Sequence, residues 1–323
     1  MQQNASGLEQ NDLAYDEHGR GACHRISLAI CPSASQAMLI LSCSSKLRLL
    51  EGILRKNLPQ TLPVHGAIMN INRGNPAGHE VIVDSWPEFK AVLTRPHREI
   101  ALDDSDVYAN MYAAFYRDLD VYRTLLQSKD VVNWAQNFRI HGIREGILEV
   151  SKDISAAKQV KLSSAPFFCY LHTNPYKAPD HRLDPGFKLA SLKSTDVDML
   201  NETWNYGGSE QSRRYLATLI GYFPSTCILD ANGVLISWNT MDPFGAIGHS
   251  YTLPAHRGKG YIAVGSKALA IKAYEAGYPV YGNVALDNIP MQKVQDHMGC
   301  QKVSDLYYVC NHYTKEGSIK IFP

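Results

Sequence analysis

Apolar positions in the first half of the chain switch between helical and extended spacing. Over residues 47–58, Leu47, Leu50, Ile53, Leu54 and Leu58 fall on one helical face, and Pro59 stops the segment. Residues 64–72 read as a strand, and the Arg73-Gly74-Asn75-Pro76 cluster as a turn. Residues 80–84 and 91–94 add two strands. Residues 107–127 predict a long helix whose Tyr108, Tyr112, Phe115, Tyr116 and Tyr122 read as core packing. Residues 173–186 hold three prolines and few apolar side chains, which marks a loop and a domain boundary.

Beyond that loop the elements alternate. Residues 187–192 read as a strand, 196–204 as a helix capped by Thr195, and 210–223 as a second helix ended by Pro224. Strands at 226–230 and 235–241 flank an Asn232-Gly233 pair, the sequence signature of a hairpin turn. A strand at 247–253, a helix at 259–276 and a strand at 280–285 follow, then a helix at 291–298 and a strand at 306–310. The order β-α-α-β-β-β-α-β-α-β holds too few βαβ units for a dinucleotide-binding domain and predicts a mixed α/β sheet.

Composition acts mainly by exclusion. The 323 residues are 45% apolar and 20% charged, enough for a sizeable core and for two domains. The longest apolar runs fall far short of the ~20 residues of a membrane span. Thirty-two basic against 31 acidic residues leave a net charge of +1, with no global field to gather nucleic acid or anionic lipid. Seven single cysteines without a CxxC read as reduced thiols, and the 12 histidines form no metal-ligand spacing. Residues 1–37 read as an extension: Glu9, Asp12, Asp16 and Glu17 argue against an Arg-rich import signal and against a secretory leader.

The chemistry concentrates in residues 251–263. A strand ends at Thr252-Leu253-Pro254, the basic glycine loop Arg257-Gly258-Lys259-Gly260 follows, and a helix starts at Tyr261. That arrangement aims backbone N–H groups and the positive helix end at an anion, and the glycines admit a diphosphate at close range. The segment also satisfies GxGxxA. However, Pro254, His256 and Arg257 precede the first glycine, and no acid ends the 280–285 strand, so the dinucleotide match is accidental.

The strand–bend–RGKG–helix unit resembles the acyl-CoA loop of the GNAT superfamily, with Ile262 where Gly or Ala is usual. Asn288, followed by a helix and Gly299, resembles that superfamily's later motif, with Cys300 in place of Phe. The stretches VHGAIMNINRGNP (64–76), DSWPEFKA (84–91), TWNYGGSEQSRR (203–214), SWNTMD (237–242) and GYPVYGN (277–283) resemble the glycine N-acyltransferase family.

The resemblance implies two tandem GNAT-like domains, each a mixed, mostly antiparallel sheet flanked by helices, at residues 38–180 and 181–323. It implies acyl transfer from acyl-CoA, as co-substrate and with no permanent cofactor, to the amine of glycine. The alternatives are another small amine such as glutamine, or a non-catalytic acyl-CoA-binding homologue. It also implies a mitochondrial address, with the cytoplasm as the alternative. Thr252, Leu253, Arg257, Gly258, Lys259, Gly260, Tyr261 and Asn288 would hold the CoA moiety, and an amide near Thr252 or Leu253 the oxyanion.

The family's base is a Glu at the position that Ala246 occupies here. His249 is therefore the candidate base, although strand alternation puts it opposite Ala246 unless a bulge intervenes. Asp242 is the second catalytic candidate and Asp287 an acid near a strand end. Tyr307 and Tyr308 are candidate donors to the leaving thiolate. Arg213, Arg214 and Arg73 are the cations available for an acceptor carboxylate.

Overall fold

The computed structural model describes residues 38–314; the reading of residues 1–37 lies outside them. The first half runs β1 (Leu39–Leu41), α1 (Ser44–Arg55), α2 (Leu62–Asn72), β2 (His79–Val83), β3 (Ala91–Pro96), β4 (Met111–Tyr116), α3 (Leu119–Gln127), β5 (Phe138–Ile143), α4 (Gly146–Lys158) and β6 (Lys161–His172). The second half runs β7 (Lys188–Ala190), α5 (Val197–Thr203), α6 (Glu210–Tyr222), β8 (Ser225–Leu229), β9 (Leu235–Met241), β10 (Ile247–Thr252), α7 (Tyr261–Glu275), β11 (Val280–Ala285), α8 (Ile289–His297) and β12 (Gln301–Tyr313).

Two sequence expectations give way. Residues 64–72 are helical: α2 is buried from Leu62 to Asn70, so no polar stripe marks its period, and a short apolar run looks the same as strand or buried helix. Residues 107–127 are not one helix. The chain runs extended through β4, buried on both faces so that alternation is hidden. Helix α3 then follows its N-cap Asp118, whose carboxylate accepts from Asp120 N and Val121 N.

The fold is a mixed, mostly antiparallel α/β fold with sheets flanked by helices. One sheet has the order β1-β2-β3-β4-β5-β12-β6-β11, the other β10-β9-β8-β7. A single parallel bridge, Ala246 to Tyr281, joins them where β10 meets β11. Read across that bridge, the order is pseudo-symmetric about the β12–β6 pair. Each half lays down five strands in sequence, and each lends its remaining long strand to the other.

The symmetry also pairs β4 with β5 in parallel, as β10 lies parallel to β11. The two pairs differ in closure. Met111–Ala113 pair with Arg139–His141 at three consecutive positions, whereas β10 and β11 touch at one and then part. A Cβ on Gly282 would sit 2.8 Å from the Ile247 carbonyl oxygen, so the strands are in contact just before they separate. Among the described residues, this parting of a parallel strand pair belongs to the second half.

Helices α3 and α4 cover one face of the larger sheet, with Tyr122, Leu126, Ile147 and Val150 against Ile140 and Cys310. A second core crosses the halves: Leu50, Leu54 and Ile68 of α1 and α2 share it with Leu216 and Leu219 of α6, Trp238 of β9 and Ala270 of α7.

Candidate functional site

The β10 strand breaks register against β9. Gly248 pairs with Thr240 and Tyr251 with Trp238, so His249 and Ser250 together oppose Asn239. This is the bulge on which the His249 assignment depended. His249 adopts φ +50°, a left-handed conformation that His tolerates better than most residues. The extra residue resets the alternation. Ser250 Oγ donates to Asn239 Oδ1 (2.7 Å) on the α7 side, while His249 Nδ1 lies 3.1 Å from Thr240 Oγ1 on the opposite side. His249 thereby shares a face with Gly248 and Ala246 and packs its ring 4.8 Å from Trp204 and 5.5 Å from Tyr215. Burial, helped by the Arg139 guanidinium, lowers its pKa to about 4, so the imidazole is neutral at physiological pH.

The hairpin between β9 and β10 brings a carboxylate to the same face. Asp242 Oδ1 accepts from Phe244 N and from Ala246 N, both at 2.9 Å. The acid therefore stands against residue 246 although that side chain is a methyl group. Burial raises Asp242 to about 7 against the opposing pull of those amides. Helix α2 holds this hairpin from the first half. Asn70 Nδ2 donates to Pro243 O (2.7 Å), and Gly66 lies so close to Phe244 that a Cβ would fall 1.7 Å from its carbonyl oxygen. Tyr281 Oη donates to that same oxygen at 2.8 Å.

Strands β5 and β12 form the facing wall. Arg139 pairs with Asn311 across the ladder, and its Nε donates to Asn311 Oδ1 at 2.6 Å. Two residues on, on the same face, His141 Nδ1 lies 2.9 Å from Tyr307 Oη. Burial keeps His141 neutral and the Tyr307 phenol protonated. Sequence inspection passes over Arg139 and His141 because β5 shows no alternation and both partners come from the far end of the chain.

On the other side of the strand pair, a cleft opens where β10 and β11 part, lined by Ile247, Ser250, Gly282, Ser266 of α7 and Gln295 of α8. The basic glycine loop lies just beyond it. Gly258 and Gly260 take φ of +79° and +77°, conformations that suit glycine, and Gly260 caps α7. Arg257 Nε donates to Thr252 O (3.0 Å), which holds the exposed guanidinium beside the loop. Lys259 lies 3.7 Å from Asp184, which also accepts from Tyr261 Oη at 2.6 Å.

Other sequence candidates lie elsewhere or serve the scaffold. Leu253 N donates to Ile236 O at 2.9 Å, so that amide is committed to the β9 strand and does not hold an oxyanion. Thr252 Oγ1 is 2.8 Å from Ser237 Oγ. Asn288 caps α8 by accepting from Met291 N. Asp287 is exposed just beyond β11. Arg213 pairs with Asp198, and Arg214 with Asp103 and Asp106. Arg73 lies by Glu51 and over the Tyr278 ring. Tyr308 packs on the α4 side of the sheet. Burial pushes the Cys227 thiol up to about 11 and Cys300 to about 12, so neither is a thiolate nucleophile at neutral pH. Among the described residues, no group of His, Cys, Asp and Glu is placed to hold a metal ion, and no helix is long and apolar enough to cross a membrane.

Comparison with known proteins bears on the family and the fold. Residues 38–224 match the family described as aralkyl acyl-CoA:amino acid N-acyltransferase, and residues 226–311 match its C-terminal region. The chain is 34% identical over 275 residues to glycine N-phenylacetyltransferase of Bos taurus, covering 78% of this chain and 91% of that one. It is 31% identical to glycine N-acyltransferase of Homo sapiens over 80% of this chain and 93% of that one. A Drosophila protein solved by X-ray diffraction shares the fold, with a TM-score of 0.70 and 14% identity over 86% of this chain and 99% of that one. The chain is therefore a member of the aralkyl acyl-CoA:amino acid N-acyltransferase family.

Proposed function

We propose that this protein transfers the acyl group of an acyl-CoA to the amine of glycine or a similar small amino acid, by direct attack in a ternary complex. One observation carries the reading. The β10/β11 pair parts with a basic glycine loop on one side and a recessed carboxylate, Asp242, on the other. The thioester reaches the recess through the cleft, with the CoA diphosphate on the loop at Arg257–Gly260.

Asp242 takes the proton from the acceptor ammonium, and the free amine attacks the thioester carbonyl. A pKa of about 7 suits this task; His249, at about 4, is too weak a base and serves as a fixed neutral wall and hydrogen-bonding partner. The main-chain amide at the His249–Ser250 bulge, where the register against β9 shifts, holds the oxyanion. The attack forms the C–N bond; collapse restores the carbonyl and breaks the C–S bond. The proton that the new amide nitrogen gives up neutralises the departing thiolate, so that CoA leaves as the thiol.

The test is thiol release from phenylacetyl-, benzoyl- and longer acyl-CoAs with glycine, glutamine or no amine, with mass spectrometry of the product. Amine-dependent release with formation of the N-acyl amino acid is the expected result. Tight acyl-CoA binding without amine-dependent release would leave a binding protein instead. Arg257→Ala is expected to weaken CoA binding about tenfold, more at low salt than at high, because its guanidinium is exposed. Calorimetry with CoA at two ionic strengths checks this, and an unchanged affinity would remove the loop from the site.

A further inference from the structure

The basic glycine loop already faces an anion, and that anion belongs to the protein. The segment that joins the two halves runs back across the start of α7. Lys267 of α7 ties it down, its Nζ donating to Ala178 O and to Asp180 Oδ1, both at 2.6 Å. Further on, Leu183 and Phe187 pack on Tyr261, and Phe187 N donates to Asp184 O at 3.0 Å to close a turn. That turn presents the Asp184 carboxylate to the loop. Its Oδ2 accepts from Tyr261 Oη at 2.6 Å and stands 3.7 Å from Lys259 Nζ.

Tyr261 is the first residue of α7 and is buried, so its hydroxyl is a fixed post for the carboxylate. Lys259 and Asp184, by contrast, are each half-exposed. Of the loop's two cations, Arg257 is held on a backbone carbonyl and Lys259 on an acid. A loose ion pair in contact with water is weak, and a ligand of higher charge separates it readily.

We infer that Asp184 is an internal competitor for the phosphates of CoA: it holds Lys259 when no CoA is bound and yields it when CoA arrives, and so sets the affinity for both the acyl donor and the CoA product. The inference rests on the reading of the loop as the CoA site. A diphosphate bridge carries two negative charges, and CoA adds a 3′-phosphate, against the single charge of the carboxylate. CoA therefore wins the ammonium, but binds more weakly than it would to a loop whose lysine stood free.

The probes are CoA and pantetheine, the same thiol arm without phosphates, titrated by calorimetry into the full chain at low and high salt. Wild type should prefer CoA. Asp184→Asn keeps an oxygen to accept from Tyr261 Oη, so the turn stays in place. It is expected to bind CoA about three- to tenfold more tightly than wild type at low salt, with the gain shrinking at high salt. Its affinity for pantetheine should change less than about twofold, because that ligand makes no demand on Lys259. Asp180→Asn removes the same charge from the same segment but from Lys267, and should leave CoA binding unchanged. In a Lys259→Ala background the gain from Asp184→Asn should vanish.

Unchanged or weaker CoA binding by Asp184→Asn would overturn the inference; weaker binding would mean that the carboxylate orients Lys259 for the ligand. An equal gain in Asp180→Asn, or a gain that survives Lys259→Ala, would also overturn it, since either outcome marks diffuse charge repulsion. Equal binding of CoA and pantetheine by wild type would remove the loop as the phosphate site and the inference with it. A wild-type preference for CoA with no gain in Asp184→Asn removes the inference alone.

Discussion

Asp242→Asn is expected to lower kcat by ~10²–10⁴ while acyl-CoA binding stays within twofold of wild type. The substitution is nearly isosteric, and the amide oxygen can still accept from Phe244 N and Ala246 N. What is lost is the capacity to take up a proton. In the wild type the raised pKa makes Asp242 a protonated, inactive acid below about 7 and a carboxylate base above it, so activity should rise with pH through about 7. In the variant that limb should vanish. Stability runs the opposite way: between the unfolded value near 4 and the folded value near 7 the native state binds the extra proton, so ionising Asp242 destabilises it as pH rises through that window. The Asn variant should therefore melt at the same or a higher temperature than wild type at pH 8. A change in kcat below threefold would reduce Asp242 to a turn residue.

Gly66→Ala is the substitution with the largest expected effect on the scaffold. An added methyl would meet the Phe244 carbonyl oxygen at 1.7 Å and its carbon at 2.4 Å, both backbone atoms that cannot rotate away. Either α2 or the hairpin must shift. The hairpin carries Asp242, and the displaced carbonyl is the one Tyr281 binds. We expect a loss of about 3 kcal/mol, the upper end for overpacking a dense core, read as a fall in Tm of several degrees together with loss of turnover. Exposed Gly52, in α1 with no atom near its Cβ position, is the control: Gly52→Ala should be neutral or slightly stabilising. Equal behaviour of the two variants would mean that α2 and the hairpin are not in contact.

The second half was the more legible in the sequence. Its hairpin turn, its glycine loop and the proline that ends α6 are local signals, and each produced an element close to where it was expected, although Thr195 lies within a 3-10 turn and does not cap α5. The failures in the first half share a cause. Helix α2 and strand β4 are buried on all sides, and burial removes the polar stripe by which period is read. The site divides the same way. Arg257 to Tyr261 are contiguous and visible. The pairing of Asp242 with position 246 needs a hairpin, His249 needs a bulge to reach the right face, and Arg139 gains its meaning from Asn311, 172 residues away. Ala246 made the absence of the usual acid plain, but only the folded hairpin shows a carboxylate against the same backbone.

The most direct test is the pH dependence of amine-dependent CoA release by the purified wild-type chain, from pH 5.5 to 9 with a saturating acyl-CoA. The account predicts release that requires an amino acid and climbs to a plateau with its midpoint near 7. Release indifferent to the amine, or a rate already flat from pH 5.5 upward as a base of pKa about 4 would give, would contradict it.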